Sequence, residues 1–435
     1  MTVSSGVTFT KNSSGLIVFA SGTATQKLTS AGIDIGNIQV SASTTATTLT
    51  LQDALNADNV TIAASQTLST GTGNYAISCA GNWANPGTFT AGTGTITFDG
   101  SAAQTIDPTT FYNLVIANTH ASAEVTLTSG TVTVTNTLNV NDGIFTIGTG
   151  NTLDVNYNGL SAANIANGAT LKVNGGTVTV DGGNSAQASV ASGGILNIAS
   201  GSFTSQGGML LNGKLKMAGG TLNLGNIAPT NDALVIGATG GSDTGDVTGG
   251  TINLTGNYGT IQKYILIVND GGKFLPAITT DDTGNLVVLR VPNAATDYIK
   301  NLSTSGNFAN VIFNRLQIGD ASYGTTYIRH SASNTAPLYV YNKFTIYSGS
   351  IFDHSLTVSQ PLYIDKFVCD GTYTKYSSGN NMFYMIDGDG VPGNGSISGA
   401  SDPNFSNLDI GNGSAVTVTL GRGITAESLD IASGA

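Results

Sequence analysis

Residues 130–155 read GTVTVTNTLNVNDGIFTIGTGNTLDV, and this stretch decides the fold. Apolar side chains alternate there with Thr, Asn or Asp in short runs, and Gly, Asn, Asp or Ser follows almost every run. Alternation with a period of two is typical of a β-strand that buries one face. Because the runs often begin about seven residues apart, the sequence predicts short strands joined by tight corners.

One unit of this stretch recurs along the chain: Gly and Thr, then two apolar residues that flank a polar one. The copies are Gly94–Phe98, Gly130–Val134, Gly176–Val180, Gly220–Leu224 and Gly250–Leu254. Hairpins would also give short alternating strands, and Asn158-Gly159 and Asp181-Gly182 are hairpin-type turns. A spacing of seven residues, grouped into units of about 22, instead favours stacked coils of three strands. The sequence therefore predicts an all-β, right-handed parallel β-helix (β-solenoid) with a less regular, tyrosine-rich β region.

A second repeat consists of Phe, any residue, Asn or Arg, Leu, any residue and Ile. It occurs at Phe111–Ile116, Phe313–Ile318 and Phe405–Ile410.

Between residues 255 and 400 glycine becomes sparser, and nine of the 15 Lys and Arg residues lie there. We expect wider coils or a β-sandwich-like insertion in this part. The predicted organisation is an N-terminal β region (1–80), a Gly/Thr-rich solenoid (81–254), the irregular region (255–400) and the start of a further solenoid repeat (401–435).

Composition limits the partners. Only 9% of the side chains are charged and the formal net charge is −11, which disfavours nucleic acid because phosphate binding needs clustered Lys and Arg. No apolar run reaches the roughly 18–20 residues of a membrane span. The cysteines, Cys79 and Cys369, each lie in a strand-like run, so we expect two buried free thiols.

Residues with catalytic potential are few. The chain has His120, His330 and His354, none beside a Gly-x-Ser-x-Gly motif, so we expect no catalytic residue. Asp387 and Asp389 alternate with glycine and are the one calcium candidate, since carboxylates on a turn can bind Ca²⁺; a plain turn is the alternative. No other cofactor is predicted.

A carbohydrate-active enzyme is a further alternative, because parallel β-helices also include polysaccharide lyases and glycosidases. Any glycan site should lie within 255–400, where Tyr, Lys, Arg and Asp coincide. Nine of the 15 tyrosines fall between Tyr323 and Tyr384. Their rings could stack on sugars or simply pack across strands.

The run Gly81–Phe89, GNWANPGTF, resembles a segment of bacterial surface proteins built from β-strand repeats. The strand Gly94–Phe98, the Gln104-Thr-Ile106 run and the Phe111–Ile116 repeat follow in that family's order. The resemblance covers residues 81–225 and recurs in part at 405–431, whereas 255–400 match poorly. Such proteins are similar in architecture to filamentous haemagglutinin and autotransporter passengers. The resemblance implies a parallel β-helix with an adhesive or structural role, and it supplies no catalytic residues.

These observations predict a non-catalytic structural or adhesive fibre or surface protein, extracellular or at the cell surface. Its expected partners are further copies of itself, assembled head to tail, and surface glycans. Residues 2–9 read as a strand and Ser428–Ile431 as part of a repeat. Either the chain is a fragment of a longer protein, or the end strand pairs with another subunit. The alternative is a virus tail fibre or tailspike that binds or cleaves surface glycans, because residues 1–15 do not resemble a secretory signal.

Overall fold

The computed structural model describes most of the chain. The described residues are 1–2, 9–12, 14–20, 25–41, 46–157, 161–182, 187–225, 232–237, 243–256, 263–269, 274–291, 296–301, 312–322, 326–330, 337–354, 361–375, 382–386, 395–411 and 417–431. The chain divides into two compact units. The first consists of residues 1–186 and 193–197, and the second of residues 187–192 and 198–435.

The first unit consists of short strands, most of them three to five residues long. They are β1 (Leu16–Phe19), β2 (Thr25–Leu28), β3 (Asn37–Val40), β4 (Thr48–Leu51), β5 (Leu55–Ala57), β6 (Val60–Ile62), β7 (Thr67–Ser69), β8 (Ile77–Cys79), β9 (Trp83–Ala84), β10 (Thr88–Thr90), β11 (Thr95–Phe98), β12 (Gln104–Ile106), β13 (Thr110–Phe111), β14 (Asn113–Ala117), β15 (Glu124–Leu127), β16 (Gly130–Val134), β17 (Leu138–Asp142), β18 (Ile144–Gly148), β19 (Asn151–Val155), β20 (Ala163–Ile165) and β21 (Thr170–Val180).

The second unit contains the remaining strands, and β23 has its first three residues in the first unit. These strands are β22 (Ala188–Val190), β23 (Ile195–Ser205), β24 (Met209–Leu211), β25 (Lys214–Met217), β26 (Thr221–Gly225), β27 (Leu234–Ile236), β28 (Asp243–Val247), β29 (Thr251–Thr255), β30 (Lys263–Val268), β31 (Leu286–Arg290), β32 (Thr296–Asn301), β33 (Ile312–Ile318), β34 (Tyr327–His330), β35 (Leu338–Ile346), β36 (Ile351–Asp353), β37 (Leu362–Cys369), β38 (Thr372–Thr374), β39 (Met382–Met385), β40 (Gly395–Ser398), β41 (Asn404–Ile410), β42 (Val418–Leu420) and β43 (Thr425–Ile431).

The predicted parallel β-solenoid is confirmed. Strands pair in parallel with the equivalent strand of the next coil, and the described residues contain no helix. In the first unit β5, β8, β11, β14, β17 and β20 form one face, and β2, β4, β7 and β10 form a second. The remaining strands belong to one larger sheet, in which β12, β15 and β18 form one ladder and β13, β16 and β19 form a second, and both ladders join the long strand β21. A coil such as β11–β12–β13 therefore has the predicted three strands. Since there is no helix, none crosses a membrane within the described residues.

The cores are filled by the apolar side chains that alternate along each strand. In β11, Ile96 and Phe98 are fully buried while Thr95 and Thr97 face outward. The indole of Trp83 lies at the centre of an aromatic cluster in the first unit, with its ring centre 4.9 Å from that of Phe89. Each apolar contact is repeated in the next coil, and this repetition stabilises the stack. Cys79 and Cys369 are the expected buried free thiols.

Glycine at the start of the recurring unit solves a steric problem at the corners. Gly220 and Gly250 begin equivalent strands of neighbouring coils and have φ angles of 69° and 76°. A Cβ on Gly250 would lie 2.6 Å from the carbonyl oxygen of Gly219. Only glycine adopts this conformation readily at such a close approach. At Gly220 and Gly250 the Gly-Thr signature therefore marks a corner followed by a strand, whereas Gly176 lies inside the long strand β21.

The Phe-based repeat has two structures. After Phe111 the chain turns a corner, so that Phe111 ends β13 and Asn113 begins β14 in another face. Phe313 and Phe405 instead lie within the continuous strands β33 and β41. Between Phe313 and Arg315 the register of β33 with β35 shifts by one residue, and the extra residue lies in β35, between Val340 and Lys343. One sequence pattern is thus compatible with a corner and with a bulge, because both place Phe and Leu in the core.

The stretch from 255 to 400 contains wider parallel coils. Ile252 pairs with Val287, Val287 with Leu316 and Leu316 with Phe344, which are steps of 35, 29 and 28 residues. All described pairings there are parallel, unlike those of an antiparallel sandwich. Polar side chains enter the core at the breaks in register. The Nδ2 of buried Asn314 donates to the carbonyl oxygens of Thr283 and Asn285, at 3.1 and 3.3 Å, so its burial is compensated.

The chain termini are only partly described. Thr2 forms a parallel bridge with Thr29, and residues 3–8 of the predicted first strand lie outside the described residues. At the other end, Leu429 in β43 pairs with Leu408, and residues 432–435 lie outside the described part.

Candidate functional site

The predicted calcium ligands, Asp387 and Asp389, lie outside the described residues. Within the described part of the chain, no group of three or more His, Cys, Asp or Glu side chains is arranged to hold a metal ion. The calcium hypothesis therefore stays a prediction from sequence.

Three tyrosines in the predicted glycan-site region form a row across neighbouring strands of the second unit. The register aligns Tyr339 of β35, Tyr363 of β37 and Tyr384 of β39. Adjacent ring centres are 4.7 Å apart, and the rings are inclined by only 11° and 7°. We call these three residues the tyrosine row. Their spacing is that of the strands themselves, so cross-strand packing produces the stack.

Stacking determines what the tyrosine row can contact. The middle ring, that of Tyr363, has both faces covered by its neighbours, so a sugar can approach it only at the edge and the hydroxyl group. Tyr341 packs edge-on against Tyr339 with ring centres 5.7 Å apart. Burial, followed by the neighbouring Tyr363 and Tyr341, raises the pKa of Tyr339 to about 12. The row therefore presents uncharged phenol groups at neutral pH.

A basic row runs beside the tyrosine row on the same strands. Arg315 of β33, Lys343 of β35 and Lys366 of β37 are register partners. The ammonium group of Lys343 lies 2.5 Å from a carboxylate oxygen of Asp282. Arg315 donates to the carbonyl oxygens of Asp282 and Gly284, at 2.6 and 2.8 Å. The turn before β31 thus orients part of the basic row and supplies a carboxylate to it.

A shallow depression of about 100 Å³ lies over this row. It is lined by Leu286, Arg315, Leu316, Gln317, Lys343 and Thr345. Its lining contains cationic, amide and hydroxyl groups but no carboxylate. Such a surface can bind polar or anionic groups of a partner, although it is too small to enclose a substrate.

The best-connected acid in the second unit, Asp353, is held in a closed network. Its Oδ2 accepts hydrogen bonds from the Tyr327 hydroxyl at 2.5 Å and from the Arg329 Nε at 2.7 Å. Arg329 also donates to the Tyr327 hydroxyl at 2.8 Å. Burial and then the bond to Asp353 raise the pKa of Tyr327. The Asp353 side chain is only 2% exposed, so its carboxylate is buried against Arg329.

The histidines occupy separate structural environments. The Nδ1 of His120 accepts backbone N–H bonds from Ser122 and Ala123, which stabilises a turn. His354 is buried, and its Nδ1 lies 3.1 Å from the hydroxyl of Tyr373. The side chain of His330 lies outside the described residues. Two of the three histidines therefore have structural contacts of their own.

Sequence reasoning missed a groove of about 330 Å³ in the first unit. Its lining comes from three successive coils, namely residues 85–89, residues 108–110 and Thr131. The groove includes part of the GNWANPGTF run, which indicated a family resemblance rather than a site. Only the coil register brings residues 20 or more positions apart into one surface, so composition gave no signal of the groove.

The comparisons with known proteins add no relative: no family model, curated protein or solved structure matches this chain.

Proposed function

We propose that this protein is a non-catalytic adhesive or structural module of an extracellular or cell-surface fibre. The observation that carries the proposal is the alignment of like side chains into rows along parallel strands, above all Tyr339–Tyr363–Tyr384 beside Arg315–Lys343–Lys366. A row repeats one chemical group at the strand spacing of about 4.8 Å. Repetition of this kind suits a polymer with its own repeat, such as a surface glycan.

Structural use of the charged groups supports a binding role over a hydrolytic one. A glycosidase needs two carboxyl groups that face one sugar across a cleft. Here Asp353 is buried against Arg329, and Asp320 lies 2.5 Å from the Arg290 guanidinium with both side chains largely covered. Each of these carboxylates is paired with a guanidinium of its own unit. We also propose that the protein is related in architecture and role to bacterial β-strand-repeat surface proteins and to haemagglutinin-like or autotransporter passengers, which the motifs of residues 81–116 resemble.

We include head-to-tail self-association in this proposal. Leu420 and Leu429 are about half exposed, at 50% and 53%, whereas their register partners Ile397 and Leu408 are buried. Among the described residues no strand pairs with the outer edge of β43. A parallel strand from a second copy would cover these side chains and satisfy that edge.

Light scattering tests the assembly. We expect the intact chain to form larger particles as its concentration rises, and Leu429→Asp to reduce them sharply. A monodisperse monomer at high concentration would contradict head-to-tail assembly. The same measurement on a chain lacking residues 1–9 tests the N-terminal end. If this chain and the intact chain polymerise equally, the contact between copies lies elsewhere.

Adhesion is tested with beads that carry the intact chain. We expect the beads to attach to films of cell-envelope polysaccharide more strongly than albumin-coated beads do. The double variant Lys343→Ala/Lys366→Ala should weaken attachment at low salt, because charge contacts are screened as salt rises. Lys172→Ala is the matched control, since that lysine is paired with Glu124 in the first unit. Attachment no stronger than albumin's would contradict the proposed function.

A further inference from the structure

The geometry points to a binding site for a neutral oligosaccharide in the groove beside Trp83, here called the Asn85 groove and lined by Asn85, Thr88, Phe89, Pro108, Thr110 and Thr131, among others. This inference deepens the proposed adhesive function, because it names a ligand class and a place for it. It uses a different unit from the tyrosine and basic rows.

The amide of Asn85 is fixed in one orientation. The hydroxyl of Thr109 donates to the carbonyl oxygen of Asp107 at 3.0 Å, and it accepts from Trp83 Nε1 at 3.1 Å and Asn85 Nδ2 at 3.0 Å. A hydroxyl has one proton and two lone pairs, so this group is fully used. Asn85 must therefore present its nitrogen to Thr109, which directs its oxygen elsewhere.

That oxygen has no hydrogen-bond donor. The Oδ1 of Asn85 is buried and unpartnered, while the backbone N–H of the same residue donates to Asp107 Oδ2 at 3.0 Å. A buried acceptor without a donor is unusual in a folded protein. Asn85 also lines the groove. The oxygen is closed to solvent, so a ligand hydroxyl would supply the missing bond once a small shift of the groove wall opened it.

The remaining surface matches an uncharged sugar. The lining contains no charged side chain, and exposed hydroxyls come from Thr88, Thr110 and Thr131. Half-buried Phe89 adds an apolar ring, held edge-on against the indole of Trp83 at 4.9 Å. A pyranose has an apolar C–H face and a rim of hydroxyl groups, so it can use both kinds of surface. An anionic sugar would find no cation in this lining.

The size of the groove limits the ligand to a short segment. Its walls come from three successive coils, which stack about 4.8 Å apart and so span about 10 Å. This length holds one or two sugar rings. Binding along the stacking direction would allow a longer glycan to continue over the outward threonines.

The site has a built-in reporter, because Trp83 is the chain's single tryptophan. Its fluorescence can be followed while the intact protein is titrated with neutral oligosaccharides: cello-, chito-, xylo-, manno-, galacto- and malto-series. Oligogalacturonate serves as the anionic comparison. We expect at least one neutral series to change the Trp83 emission saturably, and oligogalacturonate to bind at least tenfold more weakly.

Variants locate the binding. Asn85→Ala removes the unpartnered oxygen and should weaken binding at least tenfold, and Thr131→Val, at an exposed position, should weaken it about threefold. Thr90→Val is the matched control, because Thr90 is exposed on β10 but does not line the groove. A thermal melt verifies that each variant folds. If Asn85→Ala destabilises the chain, Thr131→Val with Thr110→Val takes its place.

The outcomes separate this inference from the proposed function. No saturable response to any neutral series, or unchanged affinity in the folded groove variants, would overturn the inference. Attachment of the coated beads would still support the adhesive function in that case. Conversely, binding of a neutral series with no bead attachment would support the groove and contradict the adhesive proposal.

Discussion

The two units have the same core but different coil lengths. In the first unit the register advances by 18 residues from Ile96 to Leu114 and by no more than 27 elsewhere among the described pairings, as from Gly148 to Gly175. In the second unit the advance reaches 35 residues, from Ile252 to Val287. The inward side chains are buried and apolar in both. The extra residues of the longer coils therefore lie outside the conserved strand positions, in turns and breaks of register.

The second unit contains the rows of like polar side chains. The basic row, its Asp282 partner and the tyrosine row all belong to the second unit, as do the buried Asn314 and Asn342. A turn that leaves the coil can return a carboxylate or carbonyl group to a neighbouring strand, as the Asp282–Gly284 turn does for Arg315.

The largest expected effect tests whether both units have equally dense cores. Phe98 in the first unit and Phe367 in the second are fully buried and surrounded by other aromatic rings. Each change, Phe98→Ala or Phe367→Ala, should lower the free energy of unfolding by about 3–5 kcal/mol in a urea titration. Thr90→Ala is the exposed control and should change it by less than about 0.5 kcal/mol. A loss below about 1 kcal/mol at Phe367 would mean that the longer coils are loosely packed.

The next largest effect on stability is expected at two corner glycines of the first unit. Gly143 and Gly150 have φ angles of 73° and 79°, but a Cβ would lie 2.5 Å from the Asn118 carbonyl oxygen only at Gly143. We expect Gly150→Ala to cost about 1 kcal/mol from backbone strain alone. Gly143→Ala should cost at least about 1 kcal/mol more, because the clash is added. Equal melting curves for the two variants would show that corner crowding does not limit these coils.

Alkaline pH should affect the tyrosine row of the second unit. The pKa of Tyr339 is raised to about 12 by burial and by the adjacent phenols, so folding favours the protonated form. Stability from this group is fully present below the ordinary phenol pKa near 10 and is lost as pH rises through 12. Near-ultraviolet absorbance should show a late phenolate that Tyr339→Phe removes. A titration of the wild type that is complete by pH 10.5 would argue against the stacked row.

The smallest expected effect concerns the two buried thiols, one in each unit, which should not react with a disulfide reagent in the native protein. Burial raises the pKa of Cys79 to about 12 and that of Cys369 to about 11. At pH 8 neither should react with a disulfide reagent, and both should react once the chain is unfolded. Mass spectrometry of the labelled peptides distinguishes the two sites. Rapid labelling of only one cysteine in the native protein would identify the unit that opens first.

Much of the fold could be predicted because its determinants are local. Alternation in Thr95–Phe98 and the glycines at the corners Gly220 and Gly250 depend on neighbours in sequence, and they predicted these strands and corners correctly. The bulge at Phe313 could not be distinguished from the corner at Phe111, since both bury the same two side chains. The Asn85 groove depends on Thr109, 24 residues away, so it exists only once the coil register is known. The ring of Tyr363 is likewise covered on both faces only because the coils stack. The number of tyrosines in the sequence does not indicate this.

The central claim is that this chain binds glycans without cutting them. The most direct measurement incubates the intact protein for hours with the polysaccharide that retains it, and follows the chain-length distribution by size-exclusion chromatography. We predict that the polysaccharide elutes unchanged in length while the protein co-elutes with it. Progressive shortening that is lost in a folded Asp353→Asn variant would contradict the account, because it would place an acid catalyst where the structure has a buried ion pair.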